Sequence, residues 1–113
     1  MPTHFYDTAE IAQFSSGKMN KFNLFQSPSM FCDVYCLEPG QSQKNHSHAD
    51  NDKIYHVLAG TCRVRIDDQT RTLAAGQTAV APRGLLHGVC NDSGQRATLL
   101  VVMAPHPDFH GLR

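Results

Sequence analysis

The sequence predicts an all-β barrel of the jelly-roll type with little helix. Three observations support this fold class: many short apolar runs with the two-residue period of a strand, turn residues at regular intervals, and almost no helical periodicity. With 113 residues the chain is too short for two cores, and its 41% hydrophobic content is enough for one. We expect a single domain over residues 1–113, with its core at about 21–104 and flanking segments at 1–20 and 105–113.

The charge balance excludes several classes of partner. Ten basic and ten acidic side chains give a formal net charge of zero, whereas nucleic-acid surfaces and polybasic membrane contacts need a concentrated positive field. No apolar run is long enough for a membrane span, and Met1–Glu10 lacks the basic start and apolar centre of a secretion signal. We therefore expect no nucleic-acid partner, no membrane partner and a cytoplasmic location.

The same composition predicts a homodimer. A near-neutral protein is poorly protected from self-association. Apolar edge segments such as Asn23–Phe25, and a proline-rich tail with no evident anchor, would leave surface for a second copy to cover.

The first third of the chain predicts a short helix followed by two strands. Asp7–Phe14 can form one or two helical turns capped at its first or second residue, and Ser15–Gly17 ends them. The strands are expected at Lys21–Phe25 and Met30–Leu37. Because apolar residues occupy both faces of the second strand, the sequence does not determine which face points into the barrel.

Further strands, separated by turns, are predicted in the rest of the chain. In Thr61–Ile66, apolar residues alternate with Arg63 and Arg65, which places both arginines on the solvent side. Asp67–Gln69 is the expected hairpin turn after this strand. The predicted strands are Lys53–Ala59, Thr61–Ile66, Thr70–Leu73, Thr78–Ala81, Leu86–Asn91 and Arg96–Met103. The tail from Pro105 onward should be irregular.

Two stretches of the sequence carry histidines in ordered patterns. In the first, Gly40–Gly60, His46 and His48 are two residues apart, and residues two apart in a strand point to the same face. In the second, Gly76–Asn91, His87 follows a Pro-x-Gly turn that sets its backbone direction. The three histidines are candidates for one shared site.

These two stretches resemble the paired signatures of the cupin superfamily. The first signature is Gly, five residues, His-x-His, three or four residues, Glu, six residues and Gly; the second is Gly, five residues, Pro-x-Gly, two residues, His, three residues and Asn. The matching positions are Gly40, His46, His48, Gly60, Gly76, Pro82, Gly84, His87 and Asn91. The exception is Lys53, which stands where the signature has glutamate. The resemblance implies a cupin barrel, also called a double-stranded β-helix.

The resemblance also implies one divalent transition metal, such as Fe, Ni, Zn or Mn, held by His46, His48 and His87. Neutral imidazole is a common ligand for such metals, and three ligands leave open positions for water, oxygen or a chelating substrate. The alternative is a group of hydrogen-bonded pocket histidines in a cupin that has lost its metal. The other histidines are expected to have surface or packing roles: His4, His56, His106 and His110.

The four cysteines are predicted to be free, buried thiols. They form no Cys-x-x-Cys pair and lie within predicted strands, at Cys32, Cys36, Cys62 and Cys90. Free cysteines without disulfide bonds are typical of proteins in a reducing compartment. Cys90 follows His87 by three residues, so a continuous strand turns it away from that histidine and it is not counted as a ligand.

Several roles remain open for Lys53. An ammonium group cannot coordinate a metal and is repelled by a dication at short range. Lys53 either extends to the rim, lies beside a three-histidine site of full charge, belongs to a site without metal, or binds a substrate carboxylate or enolate. A bulge could instead bring in Asp50 or Asp52 as the missing carboxylate. Tyr55 shares the strand face of Lys53 and could donate a proton or hydrogen bond, so Lys53 and Tyr55 are the candidate catalytic residues.

We therefore expect a small metal-dependent cupin that acts on a small, anionic, oxygen-bearing molecule. The resembled superfamily includes dioxygenases, isomerases, decarboxylases and lyases, and the sequence does not choose among these activities. Loss of the glutamate ligand favours the alternative, a non-catalytic cupin that binds a metabolite or stores a metal.

Overall fold

A computed structural model describes residues 3–109, and over this range the chain forms one short helix and nine strands. The elements are α1 (Thr8–Ile11), β1 (Asn20–Ser27), β2 (Met30–Leu37), β3 (Ser42–His46), β4 (Asp52–Ala59), β5 (Thr61–Ile66), β6 (Gln69–Ala74), β7 (Thr78–Ala81), β8 (His87–Cys90) and β9 (Ala97–Ala104). The predicted all-β jelly-roll fold with little helix is confirmed. No helix among these residues is long and apolar enough to cross a membrane.

Two antiparallel sheets form the walls of the barrel. The first has the order β1-β2-β9-β4-β7 and the second the order β3-β8-β5-β6. The inward-facing residues of both sheets meet in one core: Tyr35, Leu37, Tyr55, Val57, Cys62, Val64, Val89, Ala97, Leu99 and Val101. β9 lies between β2 and β4, so it is central to the larger sheet and is buried along most of its length.

The observed strands agree closely with the sequence prediction. Three of them, β2, β5 and β7, have the predicted bounds, and β4, β6, β8 and β9 differ by one residue at one or both ends. β1 is three residues longer than predicted, and β3 was not among the predicted strands. The helix is shorter than the predicted range of Asp7–Phe14. It begins after Asp7, whose Oδ1 accepts hydrogen bonds from the backbone N–H groups of Ala9 (2.9 Å) and Glu10 (3.3 Å).

The structure shows which face of β2 points into the barrel. Tyr35 and Leu37 lie in the core, whereas Val34 and Cys36 face outward and are nevertheless buried. The segment after α1 covers this outer face, since the Cys36 thiol bonds to the backbone of Gln13. The periodicity of β2 was ambiguous because both of its faces are covered.

All four cysteines are free, as predicted, but only two are fully buried. Cys36 and Cys62 lie inside, whereas Cys32 and Cys90 are half-buried. Burial raises the pKa of the Cys62 thiol to about 12, so this group is inert at neutral pH.

The tail after β9 is irregular, as predicted, but it is anchored to the barrel. Asn51 Nδ2 donates a hydrogen bond to the carbonyl oxygen of Pro105 (2.6 Å). His106 Nε2 donates to Gln26 Oε1 (3.2 Å), and the His106 ring packs edge-on against Phe31 with centroids 5.5 Å apart. The expectation of an unanchored tail was therefore wrong, and His106 has the predicted packing role. His110 lies outside the described residues.

Two turn glycines share a positive φ but differ in the space around them, so their substitution separates the effect of packing from that of backbone strain. Gly60 (φ +76°) has no room for a side chain, because an added Cβ would collide with the Arg96 carbonyl oxygen and lie 3.0 Å from Ala97 Cα. Gly76 (φ +88°) has nothing within 4 Å of the same added atom. We expect Gly60→Ala to lower the free energy of unfolding by about 3 kcal/mol and Gly76→Ala by about 1 kcal/mol, because only the first adds a clash to the backbone strain. Urea denaturation measures both, and equal losses would contradict the packing argument.

Candidate metal centre

The pairing of β3 with β8 brings the two histidine-bearing stretches together. His46, the last residue of β3, lies opposite His87, the first residue of β8. Gln43 pairs with Val89, so between these two pairs β3 advances by three residues while β8 advances by two. This bulge turns Gln43 and His46 to the same inner face, although a regular strand would place them on opposite faces.

His48 lies in the loop after β3 and is held by the Pro-x-Gly turn before β8. The backbone N–H of Gly84 donates a hydrogen bond to the carbonyl oxygen of His48 (2.7 Å). Gly84 has a φ of +85°, which glycine adopts without strain. The turn is also tied to β4, because the backbone N–H and side chain of Arg83 donate to the Asp52 carboxylate. The turn therefore places His48 and His87 relative to each other through the backbone.

The rings of His46, His48 and His87 face one point. Their centroids are 4.4 Å apart for His46 and His87, 5.0 Å for His46 and His48, and 5.8 Å for His48 and His87. One nitrogen from each ring lies within 4.8 Å of the other two. Among residues 3–109, no carboxylate or thiolate joins this cluster. The structure thus brings together the three histidines that the sequence selected.

Backbone carbonyls orient two of the three rings. His46 Nδ1 lies 2.7 Å from the carbonyl oxygen of Lys44, and His87 Nδ1 lies 3.1 Å from that of Leu85. Because a carbonyl oxygen only accepts, each Nδ1 carries the proton and each Nε2 keeps a lone pair. Nε2 of His87, whose residue is 2% exposed, is buried without a hydrogen-bond partner. A bound metal would satisfy that nitrogen, so the residues present fit a metal.

The surroundings keep two of the imidazoles neutral. Burial lowers the pKa of His87 to about 4 and also lowers the pKa of His46, and the charge of Lys53 acts in the same direction on both. Metals bind only the neutral imidazole. Both groups are therefore ready to act as ligands near neutral pH, and three such nitrogens suit zinc, iron or nickel.

Lys53 points into the barrel and is 1% exposed, so a position on the rim is excluded. Its Nζ donates a hydrogen bond to Gln43 Oε1 (3.1 Å) and lies 4.9 Å from the centre of the Tyr55 ring and 5.5 Å from that of Tyr35. Within the described range no carboxylate forms an ion pair with it. Burial and, to a lesser degree, the charge of Lys21 lower the pKa of Lys53 to about 7.

Neither aspartate considered as a replacement for the missing glutamate reaches the histidines. Asp52 forms an exposed ion pair with Arg83, at 3.0 Å. Asp50 is exposed and does not belong to the histidine cluster. The bulge that would have been needed exists, but it lies on β3 and turns Gln43 inward.

Gln43 is a site residue that the sequence did not reveal. Its Oε1 accepts hydrogen bonds from Lys53 Nζ (3.1 Å) and Tyr55 OH (3.2 Å), and its Nε2 donates to Tyr35 OH (3.2 Å). One amide therefore links three buried polar side chains. Simple alternation from His46 places Gln43 on the outer face, and no sequence signal marks the bulge that reverses it.

Tyr55 lies on the same inner face as Lys53, as the sequence predicted. It is fully buried, and its ring centroid is 6.1 Å from that of His87. Burial raises the pKa of Tyr55 far above its usual value, which keeps its hydroxyl protonated and able to donate. His56 faces outward, where its Nδ1 lies 2.7 Å from Thr78 Oγ1, and Cys90 lines a groove on the outer face of the smaller sheet.

Comparison with known proteins agrees with this geometry. Residues 33–103 match the family model described as Cupin domain. The chain belongs to the cupin family. A crystal structure of the TT1209 protein from Thermus thermophilus is 44% identical, with a TM-score of 0.90 over 93% of this chain and 100% of that one.

More distant structures share the cupin fold. An uncharacterized conserved protein with a double-stranded beta-helix domain from Klebsiella pneumoniae is 22% identical, with a TM-score of 0.83 over 91% of this chain and 90% of its own. KdgF from a Halomonas species is 20% identical, with a TM-score of 0.79 over 94% of this chain and 96% of its own. A search of curated proteins finds no match.

The low pKa of Lys53 predicts a pH dependence of stability in the metal-free cupin. Between the folded pKa of about 7 and the unfolded value of 10.5, the unfolded chain holds a proton that the folded chain has lost, so stability rises with pH. From pH 7 to 8.5 we expect wild type to gain about 1.6 kcal/mol relative to Lys53→Met, with the gain lost again as pH falls. Urea denaturation in a chelator measures the difference. Parallel pH profiles for the two proteins would contradict burial of the ammonium group.

Proposed function

We propose that this cupin binds one divalent transition metal through His46, His48 and His87 and acts on a small, anionic, oxygen-bearing molecule. The observation that carries the proposal is the buried Nε2 of His87, which has no hydrogen-bond partner and lies beside two further imidazoles. An unsatisfied buried polar atom costs about 1–3 kcal/mol. A metal ion relieves that cost.

The charge of the site favours an anionic substrate. Imidazole ligands carry no charge, so a divalent metal keeps its full charge, and Lys53, whose pKa burial lowers to about 7, adds positive charge when it is protonated. In a typical cupin signature this position carries a glutamate, which would neutralise part of the metal charge. Here the same position repels cations and attracts a carboxylate or enolate.

We assign Lys53 and Tyr55 as the groups that act on the substrate. Lys53 Nζ binds the anionic group, and the Tyr55 hydroxyl donates a hydrogen bond to an oxygen of the substrate once Gln43 Oε1 is displaced from it. A bound metal would supply a Lewis acid or an oxygen-binding centre at its open positions. The surrounding core excludes bulk water and strengthens each of these interactions. Dioxygenation, isomerisation, decarboxylation and lyase chemistry are all compatible with this set of groups.

The absence of a carboxylate ligand supports a second candidate function. A site with three neutral ligands and a nearby ammonium group holds its metal less tightly than one with a glutamate. Such a protein could bind a metabolite or a metal without turnover. Metal analysis of protein purified without added metal, followed by activity screening, distinguishes the two, because occupied redox-active iron favours oxygenase chemistry.

Substitution of Lys53 tests the metal site, because the direction of the change in metal affinity can be predicted. Lys53→Glu replaces a repelled ammonium with an anionic oxygen ligand, so we expect divalent metal to bind more than about tenfold tighter, a factor that about 1.4 kcal/mol already gives. Lys53→Met removes only the charge and should tighten binding less. Calorimetric titration of Zn²⁺ and Ni²⁺ into the metal-free proteins measures these affinities. Turnover or anion binding should fall in both variants.

Two histidine variants serve as controls for that titration. His48→Ala removes a proposed ligand and should abolish the high-affinity site, whereas His56→Ala, on the outer face of β4, should leave it unchanged. Equal metal affinities for wild type, Lys53→Glu and Lys53→Met would contradict the proposed influence of Lys53.

We also propose that the protein is a homodimer. Val80 and Ile54 form a cross-strand pair and are 56% and 39% exposed, and Phe25 on edge strand β1 is 55% exposed. Large apolar side chains at such positions are typical of surfaces that a second copy covers. We expect a dimer mass by analytical ultracentrifugation at low micromolar concentration and dissociation in Val80→Lys. A monomer mass for wild type would refute the proposal.

A further inference from the structure

A cavity of about 480 Å³ opens beside the candidate site. Its lining residues are Lys18, Met19, Asn20, Lys21, Ser42 and Gln43. Gln43 belongs to both places, because its side chain also binds Lys53, Tyr55 and Tyr35 inside the barrel. Gln43 therefore connects the cavity lining with the hydrogen bonds around the buried Lys53.

A second lysine lies on the cavity side of the same tyrosine ring. Lys21 pairs with Tyr35 in the β1–β2 register, and its Nζ lies 5.2 Å from the centre of the Tyr35 ring. Lys53 Nζ lies 5.5 Å from that centre. Each ammonium group therefore lies within 5.5 Å of the centre of one ring.

The positive charge here is only partly balanced. The carboxylate that acts electrostatically on both lysines is Asp33. It accepts a hydrogen bond from Asn23 Nδ2 (2.7 Å), and burial raises its pKa, which disfavours its charged form. Within residues 3–109 neither Lys21 nor Lys53 forms an ion pair. Lys18 also lines the cavity and adds a further cationic side chain to it.

We infer that the substrate is a small diacid, with one anionic group at Lys53 and the three histidines and the second in the cavity at Lys21. The position of the first anionic group, at Lys53 and the histidines, rests on the proposed function. The position of the second, at Lys21, rests on the cavity and its lysines. A carboxylate is a stronger acceptor than an amide oxygen, so it replaces Gln43 Oε1 as the partner of Lys53 Nζ. A monoacid of the same length fills only one of the two positions.

Succinate and butyrate test this inference, because both have four carbons and differ by one carboxylate. Calorimetric titration into the Zn²⁺-loaded and the metal-free protein gives the two affinities in each state. We expect succinate to bind at least about tenfold tighter than butyrate, since a charge-assisted hydrogen bond contributes about 1.5–3 kcal/mol. Lys21→Gln should reduce that ratio to near one.

Lys44→Gln is the matched control, because Lys44 lies in a groove on the outer face of the smaller sheet. The succinate preference should survive in this variant. Lys21 is exposed, so its substitution should not disturb folding, which circular dichroism verifies.

The outcomes separate this inference from the proposed function. If wild type binds Zn²⁺ but shows no preference for succinate, or if Lys21→Gln retains the preference, the diacid inference is overturned. If Zn²⁺ does not bind but succinate still binds more tightly in a manner that depends on Lys21, the metal-dependent function fails and the diacid site stands.

Discussion

The pairing of β3 with β8 is the constraint on which the site depends. It sets His46 opposite His87, and its bulge turns Gln43 to the same inner face. The two strands come from sequence blocks about forty residues apart, so neither block forms the site alone. A slip of one residue along β3 would exchange its inner and outer side chains. The hydrogen bond from the Gly84 N–H to the His48 carbonyl oxygen also links the two blocks and holds the third histidine in place.

Burial of Lys53 is energetically unfavourable, and the surrounding contacts offset only part of its cost. Removing an ammonium group from water costs several kcal/mol, and no carboxylate within the described residues pairs with it. The amide oxygen of Gln43 and the faces of Tyr35 and Tyr55 offset part of that cost. The remainder appears as the lowered pKa of the lysine. Perturbed groups of this kind concentrate at functional sites, which supports a role for Lys53 beyond packing.

Much of the fold and the cluster of three histidines could be predicted because they depend on local patterns. Strand alternation and turn residues located the β-strands, and the His-x-His and Pro-x-Gly spacings identified three histidines that the structure brings together. Alternation along β4 also placed Lys53 beside Tyr55. Its inward direction stayed open because the cost of burying a charge opposed the pattern. Two of the partners that offset this cost, Tyr35 and Gln43, come from β2 and β3, which local periodicity does not position.

The rest of the site depends on long-range contacts. Gln43 faces inward only because of the bulge opposite Val89, and a bulge is a property of two paired strands. The inner face of β2 was ambiguous because the segment around Gln13 covers its outer face. Lys21 and Tyr35 meet through the register of β1 with β2. None of these relations is visible within a single segment of sequence.

Under the proposed function, the lysine at the usual glutamate position changes how metal and substrate influence each other. A glutamate ligand stabilises the metal whether or not substrate is present. Lys53 opposes the metal while the site holds no anion, and once an anion is bound its charge favours the complete assembly. The two binding events are then coupled, and the coupling free energy is the same whichever ligand binds first. A site built in this way holds its metal most firmly when the substrate is present, so the residue that weakens the empty centre also makes the filled one selective for anions.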